Sequence, residues 1–258
     1  MEIRVTVLEE KAQSVRRRIF DFKTKTGAGH LASCLSCVDL MVSLYCDDKT
    51  TFDHTKDTVV HSKAHGSPSV YPILADLGYY PQDELEKYCT PEGILRLHSD
   101  QSIPGCEFVG GSLGNGIGYA AGLALVEKND IYVVLGDAEL YEGSVWETLI
   151  FASHYNLNNL RLIVDRNGMG ILGKTEELLK LEPLEDKFSS FGFDVKVVDG
   201  HNFDQMREVF SKKPTKPQVV IANTIKGKGV SYMEDVWQYH TIIPKDKDLL
   251  EIGRKDLS

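Results

Sequence analysis

Residues 131–168 read IYVVLGDAELYEGSVWETLIFASHYNLNNLRLIVDRNG. Two short apolar runs, 131–135 and 160–164, flank a stretch with helical spacing at 142–155. Runs of that length, rich in Val, Ile and Leu and lacking polar alternation, suit strands buried on both faces. Polar residues follow each run: Gly136-Asp137-Ala138 after the first and Asp165-Arg166-Asn167-Gly168 after the second. Strand, helix, strand in that order predicts a parallel pair.

The same alternation extends outward. Residues 58–60, 195–198 and 218–222 form three more β-rich runs, and 113–127 and 203–212 carry helical patterns. Upstream, Val5, Leu8, Ala12, Val15, Ile19 and Phe22 recur at steps of three and four, which predicts an amphipathic helix. A second helix is expected over 34–46 after a polar, glycine-bearing break at 23–29. The expected fold is α/β, a doubly wound, mainly parallel sheet with helices on both faces. Residues 1–258 read as a single domain without repeat or linker, with a charged tail from Asp246 expected to be loosely held. In such sheets the ligand crevice lies beyond the carboxyl ends of the strands. Several polar residues that look chemical follow strands: His61 to His65, Asp137, Asn167 and Asp199-Gly200-His201.

Composition narrows the function. The chain has 258 residues and a formal net charge of −9, so it offers no general basic field for nucleic acid. No apolar run approaches the ~20 residues that span a bilayer. The opening Met1-Glu2-Ile3-Arg4-Val5 lacks the basic and apolar pattern of a secretory leader. Five cysteines, an odd count, favour reduced thiols and a cytoplasmic setting over a disulfide framework.

Asp137 and Asn167 suit a hard divalent cation, which takes oxygen ligands and neutralises a diphosphate. Read singly, each also suits a helix cap or a turn. Glycines at 110, 111, 114, 116 and 118 let backbone approach a ligand. Equally, Gly118, Ala120, Ala121 and Gly122 are expected to pack a helix tightly. The spacing is not that of a dinucleotide fingerprint, and no clear strand precedes it. His30, His65, His98 and His240 each lie in polar loops, where an imidazole can move protons near neutral pH. Glu142 and Glu147 alone would read as a solvated helix face. Cys34 and Cys37 read as helix packing rather than a zinc or redox pair.

Taken together, Gly136-Asp137-Ala138 and the Asn167 some thirty residues later resemble the thiamine diphosphate fingerprint. Ala138 replaces its third glycine and Arg166 its penultimate Asn. The wider order of motifs resembles transketolases, closest to the split form whose amino-terminal half is a separate polypeptide. Gly29-His30, Ala64-His65-Gly66-Ser67, Pro104-Gly105-Cys106-Glu107 with 111–116, the loop 165–175, Asp199-Gly200-His201, Lys226-Gly227-Lys228-Gly229 and Tyr239-His240 occur in that family's order.

The resemblance implies the diphosphate-binding domain of the thiamine diphosphate fold. It implies thiamine diphosphate held through Mg2+ (or Ca2+ or Mn2+) by Asp137, Asn167 and the carbonyl of Met169. Gly136, Ala138, Gly111, Leu113, His65 and His240 would contact the cofactor. His30 and His98 would bind the sugar and help move protons, His240 would approach the diphosphate or the reacting centre, and Glu142 would join a carboxylate network across a subunit interface. His201 reads as structural. The glutamate that activates the cofactor belongs to the family's pyrimidine-binding domain, for which this chain shows no match. The implied partner is therefore a carboxy-terminal, pyrimidine-binding subunit, in a heterodimer or α2β2 assembly. The implied reaction is two-carbon ketol transfer from a ketose or ketose phosphate to an aldehyde. His30-Leu31-Ala32-Ser33, where the family has His-Pro-Gly-Gly, points to an unusual acceptor. Two alternatives stay open: a subunit of another thiamine diphosphate enzyme (2-oxo acid decarboxylating or deoxyxylulose-phosphate-synthase-like), or a non-catalytic binding protein retaining the fold.

Overall fold

The computed structural model describes residues 4–258, so the first three positions of the opening stretch read against a secretory leader lie outside it. The strands are β1 (Thr58–His61), β2 (Ile131–Gly136), β3 (Leu160–Arg166), β4 (Asp194–Asp199) and β5 (Gln218–Asn223). The helices are α1 (Val5–Thr26), α2 (Leu31–Cys46), α3 (Tyr71–Asp76), α4 (Asn115–Val126), α5 (Gly143–His154), α6 (Thr175–Leu178), α7 (Leu184–Ser190), α8 (Phe203–Phe210) and α9 (Lys247–Asp256). The strands form one sheet in the order β1-β2-β3-β5-β4, every neighbouring pair parallel. The doubly wound α/β expectation agrees with this topology.

The strand residues sort by parity into two cores. Ile131, Val133, Leu135, Leu160, Leu162 and Val164 share one with Ile117 and Ala120 of α4, Val145 and Leu149 of α5, and Phe188 of α7. Tyr132, Val134, Ile163 and Val220 share the other with Ile19 of α1, Val38 and Met41 of α2, and Met206 of α8. Burying each Val, Ile, Leu or Met contributes roughly 1.5–3 kcal/mol. The period-two alternation thus sandwiches the sheet between two helical layers.

Several expectations need correcting. The second helix starts at Leu31, three residues before Cys34, and is buried around almost its whole circumference. No amphipathic stripe marks such a start. β4 is not buried on both faces: it forms an edge of the sheet, with Lys196, Val197 and Asp199 exposed. The charged tail is not loose. Asp246 caps α9 by accepting from the backbone N–H groups of Asp248 and Leu249, and Leu257 is fully buried. A Cβ on Gly253 would come within 2.4 Å of Phe20, so the glycine lets α9 lie against α1. In α4 the close approach is not through Gly118 and Gly122, both exposed, but through Gly116, Ile117, Ala120, Ala121 and Ala124.

Because all five strands point the same way, their carboxyl ends share one edge of the sheet. Register aligns Gly136 with Asp165, Asp165 with Ala222, and Arg166 with Asn223. Asp137, Asn167 and the 224–226 turn therefore leave the sheet side by side.

Candidate active site

A cleft of about 650 Å³ opens at that edge. It is lined by His30, His65, His98, His240, Gly111, Leu113, Gly136, Asp137, Ala138, Asn167 and Met169, all singled out from sequence. Glu142 is the exception. It is exposed at the start of α5 and does not line the cleft. Lys63, Glu139, Tyr141, Lys226 and an apolar set (Ile171, Leu172, Leu178, Leu179) also line it without having been assigned there.

Asp137 follows β2 and is almost fully buried. Its Oδ1 accepts from the Ala138 N–H at 2.8 Å, and its Oδ2 from the Gly168 N–H at 2.6 Å and Arg166 Nη1 at 3.1 Å. Burial and then the neighbouring Asp165 push its carboxyl up, against the pull of Arg166. Asn167 follows β3. Its Nδ2 donates to Asp165 Oδ2 at 3.0 Å, and its Oδ1 accepts from the Met169 N–H at 3.1 Å. The amide nitrogen is thus committed to Asp165, which leaves the oxygen as the end that can meet a cation. Among the described residues no three His, Cys, Asp or Glu side chains gather as a closed metal site. A cation held by Asp137 and Asn167 must complete its shell from backbone, water or the ligand's own oxygens, as Mg2+ does on a diphosphate.

Beneath this wall lies a fully buried ion pair. Lys63 donates to Asp165, which also accepts from Thr224 and, at 2.8 Å, from Ser36 Oγ. Burial alone would raise the Asp165 carboxyl, but Lys63 and the hydroxyl donors outweigh it and hold it at about 2. Burial also opposes the Lys63 charge, yet Asp165 keeps that ammonium protonated well above its usual range. Lys226, buried and near Lys63, is lowered to about 8 and donates to Ser33 Oγ at 3.2 Å.

Four imidazoles line the same cleft. The His30, His65 and His240 rings lie 5.2–5.5 Å apart between centroids, and His98 lies 5.8 Å from His30. His30 starts α2 with φ 66°, a left-handed conformation uncommon for a non-glycine residue and frequent at functional sites. Burial first, then nearby lysines, lower His30 to about 4 and His240 to about 3. Both rings are neutral at pH 7. Nδ1 of His30 and Nδ1 of His240 are buried without a partner, so each is free to bond a ligand. His201 is occupied elsewhere, with Nδ1 2.5 Å from Asp39 and Nε2 accepting from the Ile225 N–H, a structural arrangement.

The glycine loop is pinned by Glu139, which is 1% exposed. Its carboxylate accepts from Ser62 Oγ at 2.5 Å and the Gly114 N–H at 2.8 Å, and from the Gly136 N–H at 3.1 Å. Gly114 has φ 80°, and a Cβ there would lie 2.6 Å from Glu142, so only glycine fits. Sequence reasoning passed over Glu139 because an acid two residues after Asp137 looks like an ordinary helix-start residue.

One pH dependence follows from burial. His61, at the end of β1, is fully buried with Nε2 unpartnered, and burial lowers it to about 4 from an ordinary 6.5. Between these values the unfolded chain binds a proton that the folded chain does not. Stability is therefore complete above 6.5 and declines as pH falls towards 4. His61→Leu is expected to flatten that decline by up to roughly 3 kcal/mol, read from urea titrations at stepped pH.

Comparison with known proteins gives a consistent picture. Residues 8–255 match the family model described as transketolase, thiamine diphosphate binding domain. The chain is 37% identical over 264 residues to an apulose-4-phosphate transketolase subunit of Actinobacillus succinogenes, covering 97% of this chain and 95% of that one. It is 36% identical to a 6-deoxy-6-sulfo-D-fructose transketolase subunit of Clostridium sp. (strain MSTE9), covering 91% of this chain and 90% of the relative. A solved transketolase from Campylobacter jejuni superposes with a TM-score of 0.89 at 26% identity, covering 99% of this chain and 43% of that longer chain.

Proposed function

We propose, because this chain belongs to the transketolase family as the thiamine diphosphate-binding, amino-terminal subunit of a split enzyme, that it serves ketol transfer in an α2β2 assembly with a pyrimidine-binding subunit. A two-carbon unit would pass from a ketose or ketose phosphate to an aldehyde. The observation that carries this reading is the convergence of Asp137, Asn167 and four histidines on one cleft. The names of the two bacterial relatives favour a donor with an anionic tail. A cytoplasmic setting belongs to the proposal, supported by five free cysteines.

The residues present fit the cofactor. Asp137, Asn167 and the Met169 carbonyl would hold Mg2+, Ca2+ or Mn2+ against the diphosphate. His65 and the unpartnered His240 face the same space, with Gly111, Leu113, Gly136 and Ala138 as close-approach surfaces. Thiamine diphosphate, when bound, supplies the nucleophilic carbon and the electron sink that ketol transfer needs. Everything else is positioning and proton handling by the chain. Neutral His30, His98 and His240 can accept a proton from a sugar hydroxyl and return it, since their basic form predominates at neutral pH. Ile171, Leu172, Leu178 and Leu179 line the mouth with apolar surface that excludes water. Glu142, exposed beside the glycine loop, stands as a proposed interface carboxylate rather than a cleft residue.

Partner dependence gives the direct test. The chain purified alone, with thiamine diphosphate and Mg2+, is expected to show no ketol transfer, and addition of the pyrimidine-binding subunit is expected to restore it. Robust turnover by the chain alone would refute partner dependence. Pyruvate consumption with carbon dioxide release by the pair would replace ketol transfer with decarboxylation.

A further inference from the structure

Arg166 departs from the fingerprint, and its side chain is 9% exposed. One guanidinium serves both the diphosphate wall and the mouth of the cleft. Nη1 donates to Asp137 Oδ2 at 3.1 Å and to Thr175 Oγ1 at 2.6 Å. Nη2 donates to Glu176 at 2.8 Å and Glu182 at 3.0 Å, and Nε to Glu182 at 3.2 Å. Glu176 in turn accepts from the Leu181 and Glu182 N–H groups. The segment 169–182 is thereby fastened at its middle and its end. The Thr175 N–H closes the turn 169–174 on the Gly168 carbonyl, and Arg166 ties Thr175 at the segment's middle and Glu182 at its end. Between the ties sit the apolar mouth residues, with Leu172 72% and Leu179 64% exposed. Exposed apolar side chains have little core contact to order them, so polar ties hold the segment: Tyr141 Oη donates to the Thr175 and Leu179 carbonyls at 2.9 Å, and the Arg166 hub joins Thr175, Glu176 and Glu182 to the Asp137 wall.

Asp137 does not depend on Arg166 for its own orientation, because two backbone N–H groups already hold it. The guanidinium therefore acts chiefly on the segment. We propose that Arg166 is a positioning residue that locks the 169–182 segment to the Asp137 wall, so that order at the mouth and affinity for the diphosphate cofactor rise and fall together. This rests on the thiamine diphosphate reading above. Resting on one planar donor fork, the lock is lost with an unbranched apolar replacement and only partly rebuilt by lysine.

Hydrogen exchange on the full chain, with no cofactor, reads the lock itself. Thiamine diphosphate binding in the presence of Mg2+, measured by calorimetry on the complex with the pyrimidine-binding subunit, reads its consequence. Arg166→Met and the pair Glu176→Gln/Glu182→Gln are each expected to speed exchange across 170–182. Each should weaken cofactor binding by about tenfold, the low end of what losing an outer-shell partner costs. Combining all three should add little to either, because they remove one interaction. Arg166→Lys should recover part of both readouts. Faster exchange with unchanged affinity would overturn the coupling, and so would unchanged exchange. Additive effects in the triple variant would do the same. If the unmodified complex bound no thiamine diphosphate, the functional reading would fail, while the exchange measurement would still judge the lock.

Discussion

Alanine at both Asp137 and Asn167 is expected to weaken thiamine diphosphate binding to the assembled enzyme by at least about 100-fold, beyond the range typical for loss of outer-shell partners. The two side chains are the oxygen donors that β2 and β3 deliver to the cleft, one at each strand's end. Among the described residues no cluster of three His, Cys, Asp or Glu side chains is available to take the cation in their place. The remaining nearby carboxylates are committed, Asp165 to Lys63 and Glu139 to the glycine loop. The fold should tolerate the change, since neither side chain supports an apolar core, so the melting temperature without ligand serves as the control. Isothermal titration with thiamine diphosphate and Mg2+ provides the measurement. Retention of full affinity would remove the diphosphate anchor from the mechanism, and with it the functional reading.

The second large effect concerns stability. Lys63→Met is expected to cost about 3–5 kcal/mol at pH 7, because it leaves the Asp165 carboxylate buried without its cation. The Thr224, Ser36 and Asn167 donors remain, but they do not supply a charge. In the unmodified chain Asp165 titrates below its usual range, at about 2. Its contribution is present above the ordinary carboxylate value of 3.8 and is lost as pH falls through about 2. In Lys63→Met that carboxyl rises instead, and protonation relieves it. The deficit against the unmodified chain should therefore narrow as pH falls from 7 towards 4. Lys63→Met combined with Asp165→Leu should be less destabilised than Lys63→Met alone, since removing both charges avoids the unpaired one. Urea denaturation at pH 7 and pH 4.5 measures both. A deficit independent of pH would show that lost packing, not charge, dominates.

Much of this architecture was legible in the chain. The runs at 131–135 and 160–164 are apolar apart from Arg161, and such runs become central strands because both faces are covered. β4 misled because Val195, Val197 and Val198 look as apolar as the central runs. Whether a strand lies at an edge depends on sheet order, which local pattern does not encode. The tail misled in the opposite way: its charges face water while Gly253 and Leu257 meet the core. In the site, His30, His65, His98 and His240 were recognisable from their loops, and all four line one cleft. Lys63, Glu139 and Asp165 were not assigned. Their roles depend on burial and on partners from distant segments, Asp165 being 102 residues from Lys63 and 129 from Ser36. Ionic pairing over such separations leaves no periodic trace.

The exposed edge strand bears on how the molecule associates. β4 presents Asp194, Lys196 and Asp199 along its length, beside the Lys212 and Lys213 turn. Charges on a free edge discourage another chain from adding itself as a further strand, the route by which open sheets polymerise into fibres. At this edge of the sheet any neighbour must therefore meet side chains and not the open backbone ladder, so a contact formed here leaves the ribbon at five strands.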